Sequence, residues 1–337
     1  MHMRHVVRYS SAVGGLAASL LMALMLAASP SASAQNYPSK DITLVVPYNP
    51  GGSTDALARQ FSTQLEHILK TNVNTENRPG GSGTIGMGSV VRAKPDGYTL
   101  GLATNSIMAY QPLANPGLPF KTTADYDPIV KLIDHPNVLF VRSDAPWKTF
   151  AEFLADVKKN PGKIRVSVAA LRGTNDLVMQ QFNMISGSKL VMVPFTGGAG
   201  EATVALLGGR VEAMAGSGAT NLGQVQAGKM RPLAVFKNGR YEPFPDAVAI
   251  TEAGYAATLP AMYFVMAPKG LPKDIHDKLV AASQQIVRSD EWIAFAKAQG
   301  SSPIEKNGPD IVKAELDNYS RVYADLIKFL EAGKAAK

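Results

Sequence analysis

Small hydroxyl side chains and glycines recur in this chain where apolar runs end, with few ionisable groups beside them. The first such stretch is "PYNPGGSTD", residues 47–55, which contains Tyr48 and Asn49. Pro47 and Pro50 stiffen the loop, and Gly51 and Gly52 let backbone approach a ligand closely. Ser53, Thr54 and Asp55 stand where a helical stripe begins. Two readings are open. Either Ser53 or Thr54 caps the helix and Asp55 complements its dipole, or the loop aims N–H and O–H donors at an anion.

"GGSGTIG", residues 80–86, contains a literal G-x-G-x-x-G at Gly81, Gly83 and Gly86, with Ser82 and Thr84 between them. A dinucleotide fingerprint needs a preceding strand and an acidic residue about twenty positions on. "NRP" precedes this one and no such acid follows, so it reads better as a helix start with free N–H groups, a second anion cradle. The pattern returns in "LATNSI", with Thr104, Asn105 and Ser106, and in "LRGTND", with Arg172, Gly173, Thr174 and Asn175. It returns again in "PFTGGAG", with Phe195, Thr196, Gly197 and Gly198, and in "AGSGATN", with Ser217 and Thr220. Asp176 reads as a first-turn helix residue. A pocket of neutral donors suits a carboxylate, which accepts several hydrogen bonds and needs no general base.

Catalytic signatures are missing. Beyond the first residues the histidines are His67, His135 and His276, widely separated, and there is no cysteine. The chain has no H-E-x-x-H, no G-x-S-x-G and no Walker A lysine. No metal site and no cofactor is expected.

The elements that must position these loops alternate. Strands are expected at Ile42–Val46, Tyr98–Leu102, Val138–Val141, Ile164–Val168, Leu190–Val193, Ala213–Ala215, Leu233–Phe236 and Tyr263–Ala267. Helices are expected at Thr54–Lys70, Thr84–Ala93, Thr149–Lys159, Asp176–Ser186, Ala199–Leu207, Lys273–Ser289, Glu291–Gln299 and Pro309–Ala332. Alternation of this kind implies an α/β fold with mostly parallel sheets, whose ligands sit beyond the carboxyl ends of strands. Two stretches, 131–146 and 258–272, could carry the chain between lobes. If they pair antiparallel, one lobe is 35–137 plus 262–337 and the other is 138–261.

Residues 1–34 read as a secretory signal peptide. They comprise a basic start, an apolar core too short to span a bilayer, and a small-x-small site ending at Ala34. The remainder is 337 − 34 = 303 residues, and losing Arg4 and Arg8 takes the net charge from +7 to +5. No Lys/Arg run with interleaved aromatics is present, so nucleic acid is not an expected partner. An exported, periplasmic monomer is expected.

The motifs "YPSKDITLVVPYNPGGSTDALAR", "ENRPGGSGTIG", "AKPDGYTLGLAT", "VPFTGGAGEATVALLGGRVEA", "RPLAVF" and "APKGLPKDI" keep the order and spacing of one family. In them the chain resembles the Bug/TctC-type solute-binding receptors of tripartite tricarboxylate transporters. The resemblance implies a type II-like periplasmic-binding-protein fold, closing on a small organic acid and delivering it to a membrane permease. It also implies site loops. Tyr48–Asp55, Gly80–Thr84 and Thr104–Asn105 hold one carboxylate, partly through water, and Arg172–Asn175, Phe195–Gly198 and Ser217 select the rest. The chain departs from the family where a His is common in "RGTNDL", and where Tyr-Lys is common at Phe195-Thr196. It departs again where Trp-x-Gly gives way to Met262 and Phe264, and where Phe and Pro are common at Tyr48 and Asn49. Other classes are an exported enzyme on such a scaffold, and a ligand-dependent partner of a membrane sensor kinase.

Overall fold

A computed structural model describes residues 37–195, 198–301, 304 and 306–335. Lys40 onward forms one compact unit, to which everything below belongs.

Eleven strands make two sheets among the described residues. Ile42–Val46 (β1), Val73–Asn77 (β2), Thr99–Thr104 (β3), Tyr126–His135 (β4) and Ala261–Pro268 (β11) form the first, in the order β2–β1–β3–β11–β4. Asn137–Arg142 (β5), Arg165–Val168 (β6), Val191–Pro194 (β7), Ala213–Ser217 (β8), Met230–Phe236 (β9) and Val248–Ala249 (β10) form the second, in the order β10–β9–β5–β8–β6–β7. The expectation of mostly parallel sheets holds, with one reversed strand in each. β11 is antiparallel to both β3 and β4, and β5 to both β8 and β9. Topology explains the reversal. The chain leaves β4 at the edge where the parallel strands end and enters β5 directly across Pro136, so β5 must run back. β11 re-enters the first sheet at the same edge and runs back in the same way.

The helices are Ser53–Leu69 (α1), Thr84–Val91 (α2), Gln111–Ala114 (α3), Phe150–Lys159 (α4), Thr174–Ser186 (α5), Ala199–Leu207 (α6), Gly218–Gln226 (α7), Lys273–Val287 (α8), Asp290–Ala298 (α9) and Pro309–Ala335 (α10). A 3-10 turn, Gly81–Gly83, precedes α2, and a π-helical turn, Ser106–Tyr110, precedes α3. α1 buries Leu57, Phe61, Leu65 and Leu69, one fully apolar stripe at helical spacing, and Lys70 ends it in a left-handed conformation at φ 57°. In α10 the apolar face buries Val312, Leu316, Tyr323 and Leu326. That helix packs on β4, on the π-helical turn and on α5, so it touches elements around both sheets. One apolar cluster accordingly runs from Val45, Met87 and Ala103 of the first sheet region to Phe153, Phe182 and Ala215 of the second.

Three strands lie outside the expected set. β2, "VNTEN", is a polar edge strand that buries only Val73, so it carries no apolar run. β4 contains Pro128 and Lys131, which interrupt its apolar run, yet it is an edge strand and its bulges against β11 accommodate the proline. β10 has only two residues. Lys131 is 5% exposed and lies 2.6 Å from both Asp134 and Glu315, tying β4 to α10.

Candidate functional site

The parallel strands of the first sheet end at one edge, and the helices that follow them start there. In α1 the first intrahelical bond is Ala56 N–H to the Gly52 carbonyl, which leaves the amides of Ser53, Thr54 and Asp55 without helical acceptors. Gly52 is the N-cap and no side chain caps the helix, so the capping role open to Ser53 or Thr54 is filled by neither. The helices α2, α5, α6 and α7, which also begin beyond strand ends, lack side-chain caps too. By contrast Thr149 caps α4 and Ser289 caps α9, accepting from Glu152 N–H at 3.2 Å and Trp292 N–H at 3.1 Å.

Six hydroxyls gather at this edge. The phenol of Tyr48 lies beside the hydroxyls of Thr104 and Ser106, which are themselves 3.0 Å apart. The phenol of Tyr263 lies beside those of Thr54 and Ser53. Tyr263 stands opposite Thr104 in the β3–β11 ladder, which brings the two groups together. Burial, with the neighbouring Tyr263 next in weight, pushes the Tyr48 phenol up to about 12, and burial raises Tyr263 as well. All six groups are therefore neutral near pH 7.

Asp55 brings no free charge to this cluster. It is 5% exposed and accepts from Gly51 N–H at 3.1 Å, Arg59 Nε at 2.9 Å, Arg59 Nη2 at 3.1 Å and Asn77 Nδ2 at 3.0 Å. Burial alone would raise its pKa, but the Arg59, Gly51 and Asn77 bonds outweigh it and hold the carboxyl below the ordinary range. Asn77 Nδ2 also donates to the Tyr48 carbonyl at 3.0 Å. Asp55 thus shapes the loop. Asn49 and Gly52 lie exposed on its rim.

The glycine-rich turn is held in left-handed backbone, with φ of 56° at Gly81, 54° at Ser82 and 95° at Gly83. Gly83, at φ 95°, resists any side chain, and a Cβ there would also meet Ile107 Cδ1 at 2.4 Å. Thr84 Oγ1 donates to the Gly81 carbonyl at 2.8 Å, and Ser82 Oγ donates to the Leu171 carbonyl at 3.2 Å. That second bond reaches from the first-sheet loops to the loop after β6. Arg172, at φ 57°, donates its backbone N–H to Asp176 Oδ2 at 2.7 Å, and its guanidinium faces Asp176 and Tyr110. Burial pushes the Asp176 carboxyl up, against the pull of Arg172.

Several expected site residues are committed elsewhere. Asn105 is wholly buried, donating to the Pro260 carbonyl at 3.0 Å and to Tyr323 Oη at 3.1 Å while accepting from Met262 N–H at 3.2 Å. Asn175 donates to Asn137 Oδ1. Both asparagines fasten the segments between the sheets. Gly173 is the N-cap of α5 and Thr174 its first residue, both half-buried. Phe195 packs on the apolar cluster of the second sheet, and Thr196 and Gly197 lie outside the described residues. Ser217 Oγ is buried with no hydrogen-bond partner. Tyr263, absent from the sequence-based set, sits in a strand whose every residue is buried, so no alternation marked it. Surface depressions of about 310 Å³ along α10 and about 430 Å³ beside α1 and β2 lie away from these loops.

Comparison with known proteins identifies the family. The family model "Tripartite tricarboxylate transporter family receptor" matches residues 57–330. Protein BugT of Bordetella pertussis is 32% identical over 274 residues, 81% of this chain and 84% of that protein. A solved structure described as a periplasmic transporter superposes with a TM-score of 0.80 at 34% identity, covering 87% of this chain and 97% of the other. MatC from Rhodopseudomonas palustris, solved with bound malate, superposes with a TM-score of 0.78 at 25% identity, covering 86% of this chain and all (100%) of that one. The chain belongs to the TctC family of tripartite tricarboxylate transporter receptors, periplasmic solute-binding proteins that are not enzymes.

Proposed function

We propose that this protein captures a small carboxylate at the edge between its two sheets and delivers it to the membrane permease of a tripartite tricarboxylate transporter. One observation carries the ligand class. Six neutral hydroxyls converge beside the uncapped start of α1, while the nearest carboxylate, Asp55, is fully engaged within its own loop. Donors without net charge, backed by a helix N-terminus, favour an anion that accepts several hydrogen bonds. Malate in MatC is an acid of this kind.

In this reading Tyr48, Ser53, Thr54, Thr104 and the turn Gly81–Thr84 anchor one carboxylate. The loop Arg172–Thr174 and Ser217 face the rest of the molecule. The lobes are 35–137 with 262–337, and 138–261, and the acid favours closure because it touches both only when they meet. Export follows cleavage after Ala34.

A thermal-shift screen of the protein against small carboxylates, with phosphate and nucleotide controls, tests this. At about a thousand times the dissociation constant a ligand adds roughly 4 kcal/mol to the folded state. A chain of this size should then melt several degrees higher with one class of acid. Silence across the carboxylates with a response to nucleotide sinks the proposal.

A further inference from the structure

We propose that His135 reads the bound acid, its imidazole exchanging a hydrogen bond with a hydroxyl or keto group next to the anchored carboxylate. The proposal rests on the carboxylate-receptor reading above and narrows it to 2-hydroxy or 2-oxo acids. His135 is the last residue of β4, directly before Pro136 and the step into β5. Since β3 and β4 run the same way with β11 between them, His135 and Thr104 end at the same sheet edge. Register sets His135 opposite Ala261 and Ile133 opposite Tyr263, so the imidazole and the Tyr263 phenol share one face. Their rings meet edge to face, 5.3 Å between centroids. That phenol is the one beside Ser53 and Thr54.

Buried imidazoles normally have at least one ring nitrogen hydrogen-bonded. His135 is 3% exposed, and neither Nδ1 nor Nε2 has a partner. Ser217 Oγ is in the same condition, and Ser217 stands opposite Asn137, two residues along from His135. Two unpartnered buried polar groups therefore flank the step between the sheets, at the edge where the hydroxyls gather. A polar substituent on the ligand would satisfy both.

The chemistry narrows the substituent. Burial lowers the imidazole to about 4, so at neutral pH it carries one N–H donor and one bare nitrogen. That pair suits a hydroxyl, which donates and accepts, or a keto oxygen, which accepts. A second carboxylate would be met by only one donor. The edge contact with Tyr263 places the ring beside the carboxylate held at Ser53 and Thr54, and so beside its 2-position.

Calorimetric titration of the protein purified from the periplasm, with L-malate and with succinate as probes, tests the assignment. The parent should bind malate more tightly than succinate. His135→Phe should weaken malate about tenfold, the size of one lost hydrogen bond, while leaving succinate nearly unchanged. His135→Gln, which keeps a donor and an acceptor, should recover part of the loss. Equal weakening of both acids, or no change in either, overturns the role of His135 and leaves the receptor reading standing. Binding of other carboxylates but no preference for malate over succinate does the same. Binding of no carboxylate at all overturns both. A readout that needs no variant is the imidazole ¹⁵N spectrum of the parent. Its resonances should move with saturating malate and stay with succinate, and stillness under saturating malate rejects the proposal.

Discussion

At the residue scale, Asp55 and His135 are opposite cases of a buried ionisable group. Asp55 is surrounded by donors, so its carboxylate is stabilised and its role is to hold the loop that carries Tyr48, Ser53 and Thr54. Asp55→Asn would turn an acceptor toward its donors into a donor and strip the charge from the Arg59 contact. A loss of about 1–3 kcal/mol in urea unfolding is expected, the scale of a hydrogen bond to a charged group, together with weaker ligand binding. Unchanged unfolding would show that the loop holds without it. His135 has no partner, and burial takes its pKa from 6.5 to about 4. The unfolded chain binds a proton there below pH 6.5 and the folded chain does not. Stability from this group is therefore fully present above pH 6.5 and is lost as pH falls toward 4, by about 3 kcal/mol in all. His135→Phe should flatten this part of the acid limb in stability measured from pH 7 to pH 4. An unchanged slope would mean that the folded state protonates His135 freely.

At the element scale, the site depends on glycines where helices meet strands. A side chain at Gly86 of α2 would meet the Arg78 carbonyl at 2.7 Å, and one at Gly83 would meet Ile107. Backbone cannot yield as a side-chain end can. Gly86→Ala should therefore lower the melting temperature, with a cost of about 1–3 kcal/mol. Gly83→Ala should show a comparable cost, because alanine also resists φ of 95°. Melting curves that match the parent would show that α2 can shift away from β1 at little cost. The Ser82 hydroxyl contributes differently, through its bond to the Leu171 carbonyl. Ser82→Ala should leave the unfolding free energy within about 0.5 kcal/mol of the parent, as for most surface changes, while loosening contact between the two loops. Small-angle scattering would register this as a larger radius in the ligand-free protein. An unchanged radius would show that α10 and the apolar cluster hold the two loops together without this bond.

At the scale of the molecule, the two sheets are joined three ways. The chain steps directly between them at Pro136, Asn105 and Asn137 fasten the returning segment at Pro260, Met262 and Leu259, and α10 packs on elements of both. In the proposed closure such a joint would bend without separating the two lobes. Saturating carboxylate should lower the radius of gyration as it raises the melting temperature. A thermal shift with no compaction would mean that the ligand binds an arrangement already closed.

The sequence by itself determined the alternation of strands and helices and the family, because each is written in local pattern. Apolar runs such as Ile42–Val46 can only be buried strands here, and α10 declares itself through its spacing. Polar or interrupted strands such as β2 and β4 were illegible, since an edge strand is defined by the neighbour it pairs with and not by its own residues. The same limit applies within the site. Asn105 and Asn175 look like donors in exposed loops until the return of the chain at 259–262 and the step at Asn137 bring acceptors to them. Tyr263 and His135 look like core residues until the register of β4 against β11 sets both rings at the edge where α1 begins. Which hydroxyls converge, which amides are used up and which imidazole is left unpartnered are properties of residues far apart in the chain. Only the pairing of strands across the sheets decides them.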